Sequence, residues 1–366
     1  MSASDTRFMR LALSLGRRGL GGTWPNPSVG CVIVKDGRIV GRARTVDGGR
    51  PHGETQALAQ AGMLAKGATA YVTLEPCAHH GATPPCANAL IEAGIARVVV
   101  PIEDSDDRVS GQGFAMLRAA GIEVQTGLCE AEARHDHAGF LSRVDHGRPL
   151  ITLKLASSFD GRIATQSGES QWITGPQSRR LVHAMRHEHD AVMVGAGTAR
   201  ADDPTLVVRD LGVTRQPLRI VTSRLLDIPM GGRLATSAAD QPLWICHGSE
   251  ADPLLVKVWQ DLGATMIPCA TRGGFIDLAS MLQTFGDKGL TRVFCEGGGV
   301  LAASLLRANL VDQLVTFTAG IALGGDGRAS VGALALEQLA QAPKFRLSAH
   351  RQVGADMVQY WERQTP

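Results

Sequence analysis

The feature that most constrains the fold of this chain is a strand–helix alternation that occurs twice, with one polar, strand-free segment between the two series. The first series has the order α-β-β-α-β-α-β-α-β and ends near residue 130, and the second begins at "LITLKLASS" (150–158). Such alternation predicts sheets covered by helices, because an amphipathic helix buries its apolar stripe on a layer of strands. The intervening "CEAEARHDHAGFLSRVDHGRP" predicts a helical connector that ends near Gly147. For a chain of 366 residues we expect two α/β domains, 1–147 and 148–366.

Local signals place the elements of both series. Asp36-Gly37 between two β-branched runs predicts a hairpin, Gly94 predicts the end of a helix over 86–94, and the chain should end as a hairpin over 344–363. Further strands are expected at 68–76, 95–102, 122–127, 190–197, 217–223, 242–247, 264–269 and 291–299, and further helices at 53–65, 113–121, 176–189 and 300–310.

Charge and cysteine content limit the partners and the compartment. A formal net charge of +2, with no block of like charges, argues against a polynucleotide partner, because such binders neutralise many phosphates. Seven cysteines spread over a long chain predict a reducing, cytoplasmic location rather than a disulfide framework. The amino terminus is too polar for a signal peptide. The sequence contains no run of about 18 apolar residues, so we predict no membrane span.

The first group of chemically capable side chains lies in "HGETQALA" and "LEPCAHHGATPPC". His52, Cys77 and Cys86 supply one imidazole and two thiolates, which predict a zinc site with a fourth position for water, as in catalytic zinc sites. Zinc lowers the pKa of such a water to about 7. Glu54, two residues after His52, is the predicted general acid–base group. The pattern matches the H-x-E and P-C elements of zinc deaminases, with a longer loop before Cys86.

Two alternatives stand beside this interpretation. Taken alone, each cysteine could be a small buried residue that packs as an apolar side chain does. A structural zinc would take a fourth protein ligand, for which His79 or His80 is available.

A second group lies in the second half of the chain. "CEGGG" (295–299) ends a strand and opens a helix, so its amides can bind a phosphate at the helix N-terminus. The run is not G-x-G-x-x-G, and a tight turn is the alternative. A further glycine loop, "VGAGTARADDP", carries Thr198 and Asp202 as polar groups. Lys154 lies within an apolar strand, either at a sheet edge or directed into a site, and we favour the site because a buried charge needs a reason.

The chain resembles the bifunctional riboflavin-biosynthesis proteins over nearly its whole length. The resemblance rests on "NPSVGCVIV", "PHGE", "TLEPCAHHGATPPC", "LKLASSFDGRIA", "SGESQWIT", "VGAGTARADDPTLVVR" and "CEGGGVLAASLL". It implies a cytidine-deaminase-like α/β/α sandwich followed by a dihydrofolate-reductase-like α/β domain. It also implies zinc-dependent deamination of 2,5-diamino-6-(5-phosphoribosylamino)pyrimidin-4(3H)-one, then NADPH reduction of the ribosyl group of 5-amino-6-(5-phosphoribosylamino)uracil to ribityl. The implied partners are these small molecules and further copies of the chain, in a dimer or tetramer.

The resemblance also implies site residues. The NADPH site would contain Ala156, Trp172, Thr198, Asp202, Ser223, Gly298, Gly299, Val300, Leu301, Ala302, Ala303 and Ser304. The substrate of the reduction would contact Ser170, Arg186, Leu206, Arg209 and Glu296, and the pyrimidine of the deamination would contact Asn26, His79 and Asp104. We predict that the guanidinium groups of Arg186 and Arg209 bind the ribose phosphate. Lys154 and Glu296 would orient the sugar and handle the proton that accompanies the hydride, or else form an ion pair between strands.

Several positions leave the function open in detail. Thr45, Gly53, Ala82 and Asp106 depart from the family pattern, which puts substrate affinity in question more than zinc chemistry. Arg200 and Arg224 are candidates to bind a 2′-phosphate, and solvated surface arginines are the alternative. Three other functions compete: a polynucleotide deaminase, a nucleotide sensor with structural zinc, and an enzyme in which the reductase alone is active.

Overall fold

The structure of the chain, a computed structural model, describes residues 2–79, 84–107 and 109–364. The chain divides into two compact units, residues 1–148 and 149–366, which we call the N-terminal and C-terminal units. Each unit is built around one main sheet, five-stranded in the first and nine-stranded in the second. Within the described ranges no helix has the length and apolar character needed to cross a membrane.

The N-terminal unit has its helices and strands in the predicted order. They are α1 (Ala3–Arg17), β1 (Gly30–Lys35), β2 (Arg38–Arg44), α2 (Gly53–Ala61), β3 (Thr69–Val72), α3 (Cys86–Glu92), β4 (Arg97–Val100), α4 (Gln112–Ala119), β5 (Glu123–Thr126) and α5 (Glu130–His146). The hairpin turns at Asp36 and Gly37, both with positive φ, as a two-residue hairpin turn requires. The predicted connector is helical as α5 and ends at Gly147 in the left-handed conformation.

The sheet of this unit places the ends of two parallel strands beside each other. Its order is β2-β1-β3-β4-β5, with β1 antiparallel to its neighbours and β3, β4 and β5 parallel. The core lies where β1 meets α1, around the fully buried Val32, Ile33 and Leu13, and each such side chain contributes about 1.5–3 kcal/mol on burial. The loops after β3 and β4 therefore leave the sheet at the same edge, where α/β sheets place ligands.

The C-terminal unit continues the alternation over a wider sheet. Its elements are β6 (Leu150–Ser158), β7 (Arg162–Ala164), α6 (Pro176–His187), β8 (Ala191–Gly195), α7 (Ala196–Asp202), β9 (Leu218–Thr222), α8 (Arg233–Thr236), β10 (Leu243–His247), α9 (Pro253–Asp261), β11 (Thr265–Pro268), β12 (Thr271–Arg272), β13 (Phe275–Ile276), α10 (Leu278–Asp287), β14 (Arg292–Gly297), α11 (Gly299–Arg307), β15 (Gln313–Ala319), β16 (Arg328–Ala329), β17 (Phe345–Val353) and β18 (Asp356–Arg363). The main sheet has the order β11-β10-β9-β8-β14-β6-β15-β18-β17.

The position of β6 decides between the two interpretations of Lys154. β6 pairs with β14 on one side and β15 on the other, so it is a central strand. The sheet-edge interpretation is therefore wrong. All strands from β11 to β15 in the sheet order are parallel, whereas β18 is antiparallel to both of its neighbours, β15 and β17.

The fold differs from expectation in several elements. β15, α9 and α10 were not expected from the sequence, and the glycine loop at 194–197 contains the start of α7. The helix expected over 53–65 ends at Ala61, because Gly62 has a positive φ and the chain continues as one 3₁₀ turn. β3 ends at Val72, before the expected 76.

Candidate active sites

His52, Cys77 and Cys86 converge on one point of the N-terminal unit. His52 is the N-cap residue of α2, Cys77 lies in the loop after β3, and Cys86 is the first residue of α3. His52 Nδ1 lies 3.3 Å from Cys86 Sγ and 3.7 Å from Cys77 Sγ. All the donor atoms lie within 4.8 Å of one another. One imidazole and two sulfurs at these separations fit a zinc ion.

Of the two candidates for a fourth zinc ligand, His79 and His80, His79 lies within the described residues. Among the described residues, the group able to hold a metal contains His52, Cys77 and Cys86 and does not contain His79. His79 Nδ1 is buried and has no hydrogen-bond partner in the described part of the chain. His80 and Ala82 lie outside the described residues.

Hydrogen bonds between the three side chains polarise them. The hydrogen bond with Cys86 lowers the pKa of Cys77 to about 4, and burial opposes this only in part. The same contact and burial raise the pKa of Cys86 far above its ordinary value. The hydrogen bond with Cys77 raises the pKa of His52. The lowered pKa favours the thiolate of Cys77, the form in which cysteine binds metals.

Glu54 lies beside this group with a free oxygen. Its side chain is 3% exposed, and Oε2 has no hydrogen-bond partner among the described residues. Burial raises the pKa of Glu54, while the charge of His52 opposes the shift. A buried carboxylate oxygen without a partner is costly, so this atom is suited to exchange protons with a bound molecule.

Glu75 holds the loop that carries Asp104. Its Oε2 accepts hydrogen bonds from the backbone N–H of Asp104 at 3.3 Å and of Gly111 at 3.1 Å, and Oε1 accepts one from Phe114 at 3.1 Å. Burial raises the pKa of Asp104 to about 7. The sequence analysis assigned no role to Glu75, because these partners lie 29 to 39 residues away along the chain.

Three other positions named from the sequence have structural partners. Asn26 Nδ2 donates to the Gly49 carbonyl at 3.1 Å, which fastens the loop preceding His52. Thr45 is buried, and its Oγ1 accepts a hydrogen bond from Val29 N at 3.0 Å. Asp106 N donates to Asp104 Oδ1 at 2.9 Å.

A large cleft crosses the C-terminal unit, with a volume of about 1920 Å³. Most of the residues predicted for the reduction line it. They are Lys154, Ala156, Ser170, Trp172, Arg186, Thr198, Asp202, Leu206, Arg209, Ser223, Glu296, Gly298, Gly299, Val300, Leu301 and Ser304. Ala302 and Ala303 do not line the cleft, because they lie on the buried face of α11. Their predicted contact with the cofactor stays a prediction.

Glu296 organises the charges at the floor of the cleft. Its Oε1 lies 2.5 Å from Arg186 Nε, and its Oε2 lies 3.0 Å from Arg186 Nη2 and 4.0 Å from Lys154 Nζ. Burial raises the pKa of Glu296, but Arg186 and Lys154 outweigh it and the net pKa lies below its ordinary value. Burial lowers the pKa of Lys154. A phosphate at Arg186 would have to share the guanidinium with Glu296.

The glycine run has the geometry of an anion site. Gly297 and Gly298 have φ of 79° and 82°, and Gly298 is the N-cap residue of α11. A Cβ at Gly298 would lie 2.9 Å from Thr198 Oγ1, so that position has room for glycine only. Thr198 Oγ1 donates to the Gly297 carbonyl at 3.1 Å, which joins the two predicted glycine loops.

Comparison with known proteins finds a family model for each unit. The family model "Cytidine and deoxycytidylate deaminase zinc-binding region" matches residues 2–102, and "RibD C-terminal domain" matches residues 149–359. The riboflavin biosynthesis protein RibD of Escherichia coli (strain K12) is 42% identical, with 96% of this chain and 98% of that protein covered. RibD of Aquifex aeolicus is 39% identical, with 98% of each covered.

Solved structures give the same relationship. Acinetobacter baumannii RibD has a TM-score of 0.87 and 38% identity, with 99% of each chain covered. A diaminohydroxyphosphoribosylaminopyrimidine deaminase/5-amino-6-(5-phosphoribosylamino)uracil reductase from Thermotoga maritima has a TM-score of 0.86 and 31% identity, with 99% of each chain covered.

This chain belongs to the RibD family. It is therefore a bifunctional deaminase and reductase of riboflavin biosynthesis, with a cytidine-deaminase-like unit followed by a reductase unit. As a RibD protein it uses zinc and NADPH. The donor set of the N-terminal unit fits the metal, and the cleft with its glycine run fits a dinucleotide.

The two arginines considered for a 2′-phosphate differ in their position relative to the cleft of this RibD structure. Arg200 Nη1 lies 2.7 Å from Asp227 Oδ2, and Arg200 does not line the cleft. Arg224 does line it. His183, which the sequence analysis did not single out, also lines the cleft, and its Nδ1 accepts a hydrogen bond from Arg209 N at 3.3 Å. Its spacing of three residues from Arg186 on a helix is the signal that would have indicated it.

Proposed function

We propose that residues 1–147 deaminate 2,5-diamino-6-(5-phosphoribosylamino)pyrimidin-4(3H)-one and that residues 148–366 reduce the ribosyl group of 5-amino-6-(5-phosphoribosylamino)uracil to ribityl. The observation that carries the first half is the convergence of three metal-ligand atoms within 4.8 Å beside Glu54 Oε2, which has no hydrogen-bond partner among the described residues. The cleft around Lys154 and Glu296 supports the second half.

In the deaminase, His52, Cys77 and Cys86 would hold zinc, which supplies a water of lowered pKa when bound. Glu54 Oε2 would hold the proton that the attacking water gives up and return it to the departing amine. The carbon–nitrogen bond of the ring amine breaks, a carbon–oxygen bond replaces it, and ammonia leaves. Asn26, His79 and Asp104 would hold the pyrimidine and its phosphoribosyl arm.

In the reductase, NADPH supplies a hydride. Lys154 Nζ would hold the proton that accompanies it, and Glu296 Oε2, 4.0 Å away, would keep that ammonium oriented. Ser170, Arg186, Leu206 and Arg209 would contact the substrate. The cofactor would contact Ala156, Trp172, Thr198, Asp202, Ser223, Gly298, Gly299, Val300, Leu301 and Ser304.

We also infer a cytoplasmic enzyme that works as a homo-oligomer. Seven cysteines without a disulfide in the described residues support a reducing compartment. A dimer or tetramer is the expected assembly, and light scattering on the purified protein would measure it.

The experiment gives the zinc-loaded protein the diaminopyrimidinone ribotide and follows ammonia release without NADPH, then absorbance loss after NADPH is added. We expect ammonia first and NADPH oxidation second. Glu54→Gln should abolish ammonia release yet still oxidise NADPH with the pre-deaminated substrate. Glu92→Gln, an exposed acid on α3, is the matched control. NADPH oxidation with no ammonia from the wild type would refute the deaminase half, and silence in both assays would refute both halves.

A further inference from the structure

A short hairpin at one end of the cleft has no role in the function described so far. β12 and β13 pair Arg272 with Phe275, and the turn between them consists of Gly273 and Gly274, both with positive φ. Arg272 and Phe275 line the cleft, although their surfaces are largely exposed, 88% for the Arg272 side chain and 61% for Phe275. An exposed aromatic ring beside an exposed guanidinium is suited to bind a flat, anionic molecule.

The base of this hairpin is joined to Arg224. Glu250 Oε1 accepts a hydrogen bond from Thr271 Oγ1 at 3.4 Å and lies 3.9 Å from Arg224 Nη1. A Cβ at Gly248 would lie 2.9 Å from both Arg224 Cγ and Thr271 Cγ2. Arg224 and the first residue of the hairpin therefore lie side by side across Gly248, and the two arginines face one region of the cleft.

The strand order gives the direction of a ligand in the cleft. From β14 through β8 to β9 the strands are parallel neighbours, so two spacings of about 4.8 Å separate the end of β14, next to Gly298, from the end of β9, next to Arg224 and the hairpin. Glu296 and Lys154 lie at one end, Gly298 and Thr198 follow, then Ser223 and Arg224, and the hairpin lies last. About 10 Å along this edge accommodates the adenosine half of a dinucleotide between Gly298 and Arg224, with the other half directed toward Lys154.

The contact that Arg272 makes in the structure is weak. Its Nη2 lies 3.6 Å from Asp277 Oδ2, while Asp277 Oδ1 accepts hydrogen bonds from Ala279 N and Ser280 N at the start of α10. The carboxylate is thus committed to the helix N-terminus, and an exposed pair at this distance contributes little. Arg272 can therefore leave this contact and pair more closely with a bound anion.

We propose that the hairpin 271–276, together with Arg224, binds the adenosine 2′-phosphate of NADPH and so selects NADPH over NADH. Arg272 and Arg224 bind the phosphate from two sides, and Phe275 packs against the adenine. This inference rests on the cofactor position proposed above, which puts the hydride end at Lys154 and Glu296.

Calorimetry with adenosine 2′,5′-bisphosphate and with 5′-AMP tests the site without any turnover. We expect Arg272→Gln and Arg224→Gln to weaken the bisphosphate about 10-fold each, because each removes a charge-assisted contact, and to leave 5′-AMP within about 2-fold. Phe275→Ala should weaken both nucleotides by the same factor, since the ring contacts only the adenine. Arg346→Gln, an exposed arginine of β17 paired with Glu362, is the matched control and should change neither.

The outcomes separate this inference from the proposed function. Equal weakening of both nucleotides by Arg272→Gln, or no weakening, would overturn the hairpin assignment while the wild type still oxidises NADPH. A wild type that binds neither nucleotide and oxidises no NADPH would overturn the cofactor position and the inference together. A fall in the NADPH to NADH ratio of kcat/KM for Arg272→Gln, with the control unchanged, supports the proposal.

Discussion

Arg186 holds both carboxylate oxygens of Glu296, at 2.5 Å and 3.0 Å, although the two residues are 110 positions apart in the sequence. Lys154 lies farther from the same carboxylate, at 4.0 Å. The tight ion pair therefore fixes Glu296, while the ammonium of Lys154 keeps room to hydrogen-bond a substrate. The alternative prediction was a simple ion pair between Lys154 and Glu296. Their contact is longer than either contact between Glu296 and Arg186.

Replacing Lys154 should separate activity from stability. Lys154→Met keeps the length of the side chain and removes its charge, while Arg186 still pairs with both oxygens of Glu296, so we expect an unchanged Tm. NADPH oxidation should fall at least about 100-fold, because general acid catalysis contributes 10²–10⁴-fold, and ammonia release should not change. Lys257→Met on the exposed face of α9 is the control. Normal NADPH oxidation by Lys154→Met would show that Lys154 is a structural residue.

Acid should destabilise the C-terminal unit through His189. The ring is buried, its Nδ1 lies 2.7 Å from the Met185 carbonyl and its Nε2 lies 3.0 Å from Thr152 Oγ1. Burial, with the charge of Arg292, lowers the pKa of His189 to about 3. The unfolded chain, with a pKa of about 6.5, binds the proton first. The stability present above pH 6.5 is therefore lost as pH falls toward 3, by about 2 kcal/mol at pH 5.

Urea unfolding between pH 7 and pH 5, followed by tryptophan fluorescence, measures this loss. His189→Gln should flatten the pH dependence of the free energy of unfolding, since glutamine does not titrate. His350→Gln, an exposed histidine of β17, is the control and should leave the slope as in the wild type. A slope that persists in His189→Gln would assign the acid sensitivity to other groups.

The sequence predicted the metal site more completely than it predicted the geometry of the reductase cleft. The three predicted zinc ligands come together because each lies at an element end that local signals mark, the start of α2, the loop after β3 and the start of α3. β15 was missed although "VTFTA" within it alternates apolar and polar residues, and its place between β6 and β18 depends on pairing across the sheet. The contacts of Glu75 and Arg186 were missed for the same reason, since no local pattern encodes a partner far along the chain.

Glu75 should act as a positioning residue for the deaminase substrate. Its carboxylate accepts hydrogen bonds from the backbone N–H of Asp104, Gly111 and Phe114. Glu75→Gln puts an amide donor against these donors, so the loop of Asp104 should shift, with KM for the ribotide raised about 10-fold and zinc content retained. Glu103→Gln, an exposed acid of the same loop that accepts from Ser110 Oγ, is the control. A loss confined to kcat would instead indicate a direct part in catalysis.

Gly53 is required by close packing rather than by backbone freedom. Its φ is not positive, but a Cβ there would lie 2.8 Å from the Val29 carbonyl oxygen and 3.2 Å from Arg44 Cα, both backbone atoms. We expect Gly53→Ala to displace His52 and to weaken zinc binding roughly 10-fold, as changes that disturb ligand orientation do. Competition with a chelator measures the affinity, and Gly231→Ala, where a Cβ would meet nothing within 4 Å, is the control. Unchanged zinc affinity in Gly53→Ala would mean that β1 and β2 yield to the added methyl group without moving the ligand.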